Sequence, residues 1–176
     1  QMNATGVLRK LSKSDTNKDA IRKAGGIPAL VKLLSADVSA ETTAYAAGLA
    51  SSLCECDVNK LALLEAGGVP KLLALLSGRP VESETVKNTA SALRNLSRSA
   101  SCRDAIREAG GVPRLVALVA AGTDAPAARS AMEALYRMSS YSHKANRIAI
   151  FEAGSVAPLV ALLTTANPIS EMAKHA

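Results

Sequence analysis

Three glutamates, Glu65, Glu108 and Glu152, recur at intervals of 43 and 44 residues, and carboxylates in pairs are common apparatus for acid–base catalysis. Each stands just before the same short run of alanine and glycine, so their recurrence belongs to a repeat and marks a structural place. The other reactive residues are few. His143 and His175 occupy unrelated contexts, and no Ser/His/Asp arrangement accompanies the abundant serines. Cys54-Glu55-Cys56 is too tight a spacing for a zinc knuckle, neither histidine lies near it in sequence, and Cys102 makes an odd third thiol. Thiols of this kind read as reduced and buried or half-buried, which implies an intracellular setting, cytoplasmic or nuclear. "NAT" at Asn3 and "NLS" at Asn95 match the glycosylation triplet, which carries weight only in a secreted chain. The residue types therefore imply no catalytic group, no metal and no cofactor, and the chain does not read as an enzyme.

The composition narrows the remaining classes. Of 176 residues, 48% are hydrophobic and only 2% aromatic, with no Trp and one Phe. The apolar mass is Ala, Leu and Val, which suits closely packed helices and a sizeable core. No apolar run approaches the ~20 residues of a membrane span, and the N-terminus has no signal-peptide pattern. The formal charge is +6, from 21 basic and 15 acidic residues, without a block of five or six like charges. That excess favours loose attraction to anions and falls short of a nucleic-acid arm. A basic solenoid reading RNA base by base would need stacking aromatics or arginines in register, which are missing, so nucleic acid is an unfavoured partner.

The elements that would position any site are set by one recurring pentapeptide. "AGGIP" at Ala24–Pro28 returns as "AGGVP" at Ala66–Pro70 and Ala109–Pro113, with a longer variant, "AGSVAP", at Ala153–Pro158. Before each lies a short amphipathic stretch: "NKDAIRKAG", "NKLALLEAG", "CRDAIREAG" and "NRIAIFEAG". After each comes a second helical pattern, with Leu30, Val31, Leu33 and Leu34 forming a broad apolar face in the first copy. The first glycine closes one helix at positive φ, the second permits a sharp turn with close backbones, and proline opens the next helix. "AGG" is accordingly no phosphate cradle: Pro removes an N–H an anion would need, and the Gly-Lys-Ser/Thr of phosphate loops is absent. A polar break then leads into a longer third helix. In "ESETVKNTASALRNLSR", Val86, Ala90, Leu93 and Leu96 share one face, and Asn88, Ser91, Asn95 and Arg98 the opposite one. Glu82, Ser83 and Glu84 suit its first turn.

One unit is thus short helix, helix, long helix, at a period of about 43 residues, in the ~40–47 range of helical solenoids whose units bury their apolar faces only by stacking. The Gly-Gly-[Ile/Val]-Pro corner, the Leu-Val-x-Leu-Leu helix and the Ala-Leu-x-Asn-Leu-Ser ending together resemble the armadillo repeat, over essentially the whole chain. The resemblance implies an all-α, right-handed armadillo-repeat superhelical solenoid with three near-complete three-helix repeats and partial repeats at both ends. The units fall at 15–56, 57–99 and 100–141, with the end of a partial repeat at 1–14 and an incomplete repeat at 142–176. Neither end has a polar cap, so Leu8, Leu11, Ile169 and Met172 are expected on exposed end surfaces. The chain reads as an excerpt from a longer array, or as one that self-associates end to end.

The same resemblance implies a working surface. In armadillo proteins the third helices line a concave groove that commonly holds an extended peptide, and an asparagine late in each helix pairs with the peptide backbone. Aligned on the helix ending, that ladder falls here at Lys10, Ser52, Asn95 and Arg137, and only Asn95 matches. The positions where importin-like members place tryptophan are Gly6, Gly48, Ser91 and Glu133, so a basic localisation peptide finds neither amides nor aromatic slots. The expected lining is Asn3, Lys10 and Lys13; Tyr45, Ser52 and Glu55; Asn88, Ser91, Asn95 and Arg98; and Ser130, Glu133 and Arg137. Gly6 and Gly48 are expected to leave shallow spaces, and Tyr45 is the only aromatic expected there, either as an anchor or packed between third helices. The lining opposes four basic residues to two acidic ones. It suits a moderately acidic peptide, as in catenin-like members, or else is a solvated face. The expected function is a non-catalytic protein–protein interaction scaffold, with a structural spacer or docking segment of a larger protein as the alternative.

Overall fold

Helices alternate with tight corners along the whole of the computed structural model, which describes residues 2–35, 37–122 and 125–165. Twelve helices and no strand occur among these residues. In chain order they are α1 (Met2–Leu11), α2 (Asp15–Lys23), α3 (Gly26–Leu33), α4 (Ala40–Leu53), α5 (Asp57–Glu65), α6 (Gly68–Ala74), α7 (Glu84–Leu96), α8 (Ala100–Glu108), α9 (Gly111–Ala120), α10 (Pro126–Met138), α11 (Lys144–Glu152) and α12 (Val156–Thr165). Ile169 and Met172, expected at an exposed end, lie outside the described residues. Leu11 is 48% exposed, whereas Leu8 packs against the core.

The corner chemistry explains the repeat. Gly25, Gly67, Gly110 and Gly154 all adopt left-handed backbone, with φ between 69° and 74°. That region admits glycine and penalises residues with a Cβ. The next glycine is needed for space. A Cβ at Gly111 would lie 2.7 Å from the Ile106 carbonyl oxygen and 2.9 Å from Leu73 Cδ2. The following helix begins at this second glycine, two residues before the expected start, so proline sits within the first turn, where N–H groups have no intrahelical partner anyway. In the fourth corner Ser155 replaces that glycine, and α12 starts one residue later, at Val156.

Stacking follows the apolar faces. Each third helix (α1, α4, α7 and α10) lies against the next, forming one continuous layer. The first helices α2, α5, α8 and α11 form a second row, and α3, α6, α9 and α12 close the other side of the core. Val86, Ala90, Leu93 and Leu96 are fully buried, as their shared face requires. Alanines pack the seams of the third-helix layer: Ala46, Ala50, Ala90, Ala127, Ala131 and Ala134 are all inaccessible to solvent. Small residues let these helices approach closely, which is why the core manages without aromatic side chains. Ser39 and Ser83 cap α4 and α7, accepting bonds from Thr42 N and Val86 N at 3.3 Å.

Candidate functional site

The third-helix layer presents one long face between its seams. At the α1–α4–α7 end, an open depression of ≈ 460 Å³ is lined by Arg9, Lys10, Lys13, Tyr45, Ser51, Ser52, Glu55, Asn88 and Ser91. A second depression of ≈ 410 Å³ lies between α7 and α10, lined by Lys87, Ser91, Arg94, Pro126, Arg129, Ser130 and Glu133. Ser91 is common to both, so the two read as one groove crossing α7. Asn95, Arg98 and Arg137 line neither depression.

Asn95 is 6% exposed and reaches into the α4–α7 seam, where Nδ2 donates to the Ser51 carbonyl at 2.9 Å. It does not face solvent, because the helices cross close enough for its amide to satisfy a neighbouring backbone group. Asn88 does the same two turns earlier on α7, donating to the Ala44 carbonyl at 3.0 Å. Ser52 donates to the Ser12 carbonyl at 2.8 Å across the α1–α4 seam. Ser91 accepts from Ser51 Oγ at 2.9 Å and from Arg94 Nη2 at 3.3 Å. With both bonds arriving at its oxygen, the Ser91 hydroxyl keeps its own proton for an acceptor in the groove. Arg137 bonds to Glu133 one turn earlier on α10.

Gly6 and Gly48 both border the α1–α4–α7 depression, but Gly48 leaves no hollow of its own. A Cβ on Gly48 would fall 2.5 Å from Arg9 Nε, so the glycine is a socket for that guanidinium. Tyr45 crosses toward Gly6, its ring 3.9 Å from where a Cβ would stand, and so packs between third helices. Tyr45 is also not the only aromatic to consider: Tyr136, 79% exposed, holds on α10 the register that Arg94 holds on α7. Arg9 and Arg94 belong to the groove and were missed in the sequence. Both precede the ladder positions by one residue, and that offset was the available signal.

Cations at the start of each first helix also escaped the sequence reading, although the dipeptides "NK", "NK", "CR" and "NR" recur in register. Arg103 donates to the Ser97 and Arg98 carbonyls at 2.9 and 3.3 Å, and Arg147 to the Ser140 and Tyr141 carbonyls at 2.9 and 2.7 Å. They satisfy carbonyls at the end of the preceding third helix, where the helix dipole favours positive charge. Lys18 and Lys60 hold the same register, almost wholly buried. Lys18 pairs with Asp15 and Glu55, and Lys60 with Asp57. Burial pulls the Lys18 amine down, and its bonds to Glu55 and Asp15 overcome that pull and raise it above the ordinary lysine value. Bonding and attraction from Lys18 and Lys60 hold the carboxyls of Asp15 and Asp57 below the usual range. Arg98 stands where Glu55 stands one repeat earlier, close enough to Asp57 to lower it further. Burial pushes the Cys54, Cys56 and Cys102 thiols up, which leaves them poor nucleophiles. Among the described residues no three His, Cys, Asp or Glu side chains converge to hold a metal, and no single helix is long and apolar enough to cross a membrane.

Three-helix units joined by a left-handed glycine corner, with third helices lining a groove, define the α-solenoid class. A family model described as the armadillo/β-catenin-like repeat matches residues 14–55 and 56–98. An engineered protein of known crystal structure is 32% identical over 96% of this chain and 67% of its own, with a TM-score of 0.85. The chain belongs to the armadillo-repeat family. It is also similar to a computationally designed armadillo repeat protein for modular peptide recognition, at 26% identity over 94% of this chain and 68% of the other, TM-score 0.84. A designed armadillo repeat protein in complex with the peptide (KR)4 shares the fold, at 23% identity over 94% and 67%, TM-score 0.80. The chain spans about two thirds of the length of these three proteins. No match was found among curated protein sequences.

Proposed function

We propose that this chain is a non-catalytic interaction scaffold whose third-helix groove binds an extended, acidic segment of a protein partner. The observation that carries the reading is an asymmetry of pairing. Of the carboxylates along the groove, Glu55, Glu84 and Glu133 are each bonded to a cation of the chain itself, and Glu41 alone has no ion pair among the described residues. Arg9, Lys10, Lys13 and Arg129 line the same face and have no carboxylate within 4.0 Å among the described residues. Unpaired cations over a concave, partly apolar surface attract an anionic strand and speed its capture. The Ser91 hydroxyl offers a donor to a backbone carbonyl, and the oxygen of Ser52 retains lone pairs for a backbone N–H. A designed armadillo repeat protein that shares the fold is found in complex with (KR)4, a basic peptide, so the fold can hold a peptide, and the unpaired cations of this groove favour an acidic one. Buried free thiols at Cys54 and Cys102 support placing the scaffold in a reducing, intracellular compartment.

Fluorescence anisotropy with labelled Glu-Ser and Lys-Ser repeat peptides tests the reading. The acidic peptide should bind, weaken as salt shortens the Debye length from about 30 to 8 Å, and weaken by several-fold in Lys10→Glu and Arg129→Glu variants. Preference for the basic peptide, or binding indifferent to both substitutions, overturns it and leaves the spacer, working through other surfaces.

A further inference from the structure

Glu133 is placed unlike the other paired carboxylates of the groove. Glu55 and Glu84 meet lysines of the first-helix row and of their own helix, whereas Glu133 lies between two guanidinium groups from neighbouring third helices. One of its oxygens bonds Arg137 on α10, and the other lies 3.7 Å from Arg94 Nε on α7. All three side chains are partly exposed, Arg94 at 36%, Arg137 at 30% and Glu133 at 43%; Arg94 and Glu133 line the α7–α10 depression, and Arg137 stands beside it through its bond to Glu133. A carboxylate bridging two arginines has the geometry that a bound aspartate or glutamate would adopt.

Resting on the acidic-segment reading, we propose that Glu133 is a built-in competitor for that ligand. It occupies the anion subsite formed by Arg94 and Arg137, so the groove is graded, with open cations on α1 and a self-occupied subsite at α7–α10. A bound segment anchors first on Arg9, Lys10 and Lys13 and gains the second subsite only by displacing Glu133. Until it does, Glu133 also repels any ligand carboxylate that approaches the two arginines.

The test compares the wild-type chain with Glu133→Gln and with Glu152→Gln, an equal change of charge on exposed α11, by anisotropy with the Glu-Ser repeat peptide. Glu133→Gln should tighten binding about two- to fivefold at low salt, the range expected for one exposed charge pair. The gain should vanish at high salt, be absent from Glu152→Gln, and disappear when Arg94→Gln is added. If wild type binds and Glu133→Gln is unchanged or weaker, with helicity preserved, Glu133 orders the arginines and the proposal fails while the acidic-segment reading stands. If neither wild type nor Glu133→Gln binds, that reading falls and the proposal with it. Binding by Glu133→Gln alone supports the strongest form, in which the subsite is closed by default.

Discussion

Adjacent glycines at the first three corners answer two separate constraints, and single substitutions separate them. Gly110 has open space around a would-be Cβ and needs only its left-handed backbone (φ 69°). Gly110→Ala should therefore cost about 1–2 kcal/mol, the strain of that region. Gly111 has ordinary backbone but no room, because a Cβ would press on the Ile106 carbonyl and on Leu73 of the neighbouring unit. Gly111→Ala should cost more, about 2–3 kcal/mol, since a backbone oxygen has to shift. Urea midpoints of the two variants rank them, and an equal loss would refute the division. The buried cations make a second residue-scale prediction. Asp15 and Asp57 are depressed below 3.8, so their contribution to stability is present above that pH and is lost as pH falls through their folded values. Lys18 is raised above 10.5, so its contribution is complete below that pH and is lost as pH rises through its folded value. Thermal midpoints should form a plateau bounded by losses below about 3.8 and above about 10.5. In Asp57→Asn the acid-side loss should be smaller, and a variant that tracks wild type in parallel through the acid range contradicts the linkage.

Helix by helix, the third-helix layer is unevenly finished. Ser39 and Ser83 cap α4 and α7, but α10 begins after Ala125, whose extended backbone (φ −74°, ψ 128°) has the right shape and no side-chain acceptor. Ala125→Ser should stabilise by about 1 kcal/mol and Ser83→Ala should destabilise by a similar amount, with amide exchange in the first turn as the local readout. A cap that changes nothing at Ala125 would mean that Pro126 already sets that turn. This is also the scale at which the sequence was most readable. A glycine pair followed closely by a proline interrupts a running helix, so their recurrence marked the corners, and the apolar faces between them marked the helices. The groove was less readable, because consecutive positions on a helix differ by 100°. Whether residue 94 or residue 95 faces the groove depends on how steeply α7 crosses α4, and that angle is a property of the stack. The answer turned out to be Arg94 in the groove and Asn95 in the seam. For the same reason Gly48 read as a hollow, when the residue that fills it comes from the preceding repeat.

Across the molecule, the third-helix layer carries both the seams between units and the proposed groove, and Asn95 belongs to the seams. Asn95→Ala would leave the Ser51 carbonyl without its donor inside the α4–α7 seam, at a cost of about 1–2 kcal/mol. In a solenoid that loss falls on the coupling between neighbouring units, so the urea transition should broaden as well as shift. Affinity for the acidic peptide should barely move. Unchanged stability with a tenfold loss of binding would put Asn95 in contact with the ligand and reverse the assignment.

Each junction in the layer is closed by its own chemistry. Between α1 and α4 it is a guanidinium in a glycine socket, between α4 and α7 a set of amide and hydroxyl bonds, and between α7 and α10 a carboxylate shared by arginines. Such junctions behave as addresses. If the unit between residues 57 and 99 were excised, α4 would meet α10, and the Ser51 carbonyl would face Arg137 where an amide had been. A misfolded chain that skipped a unit would meet the same mismatch. Helical arrays with identical junctions would lose or gain a unit without such a mismatch. This one carries its order in its seams, so its units are parts of a sequence and not interchangeable copies.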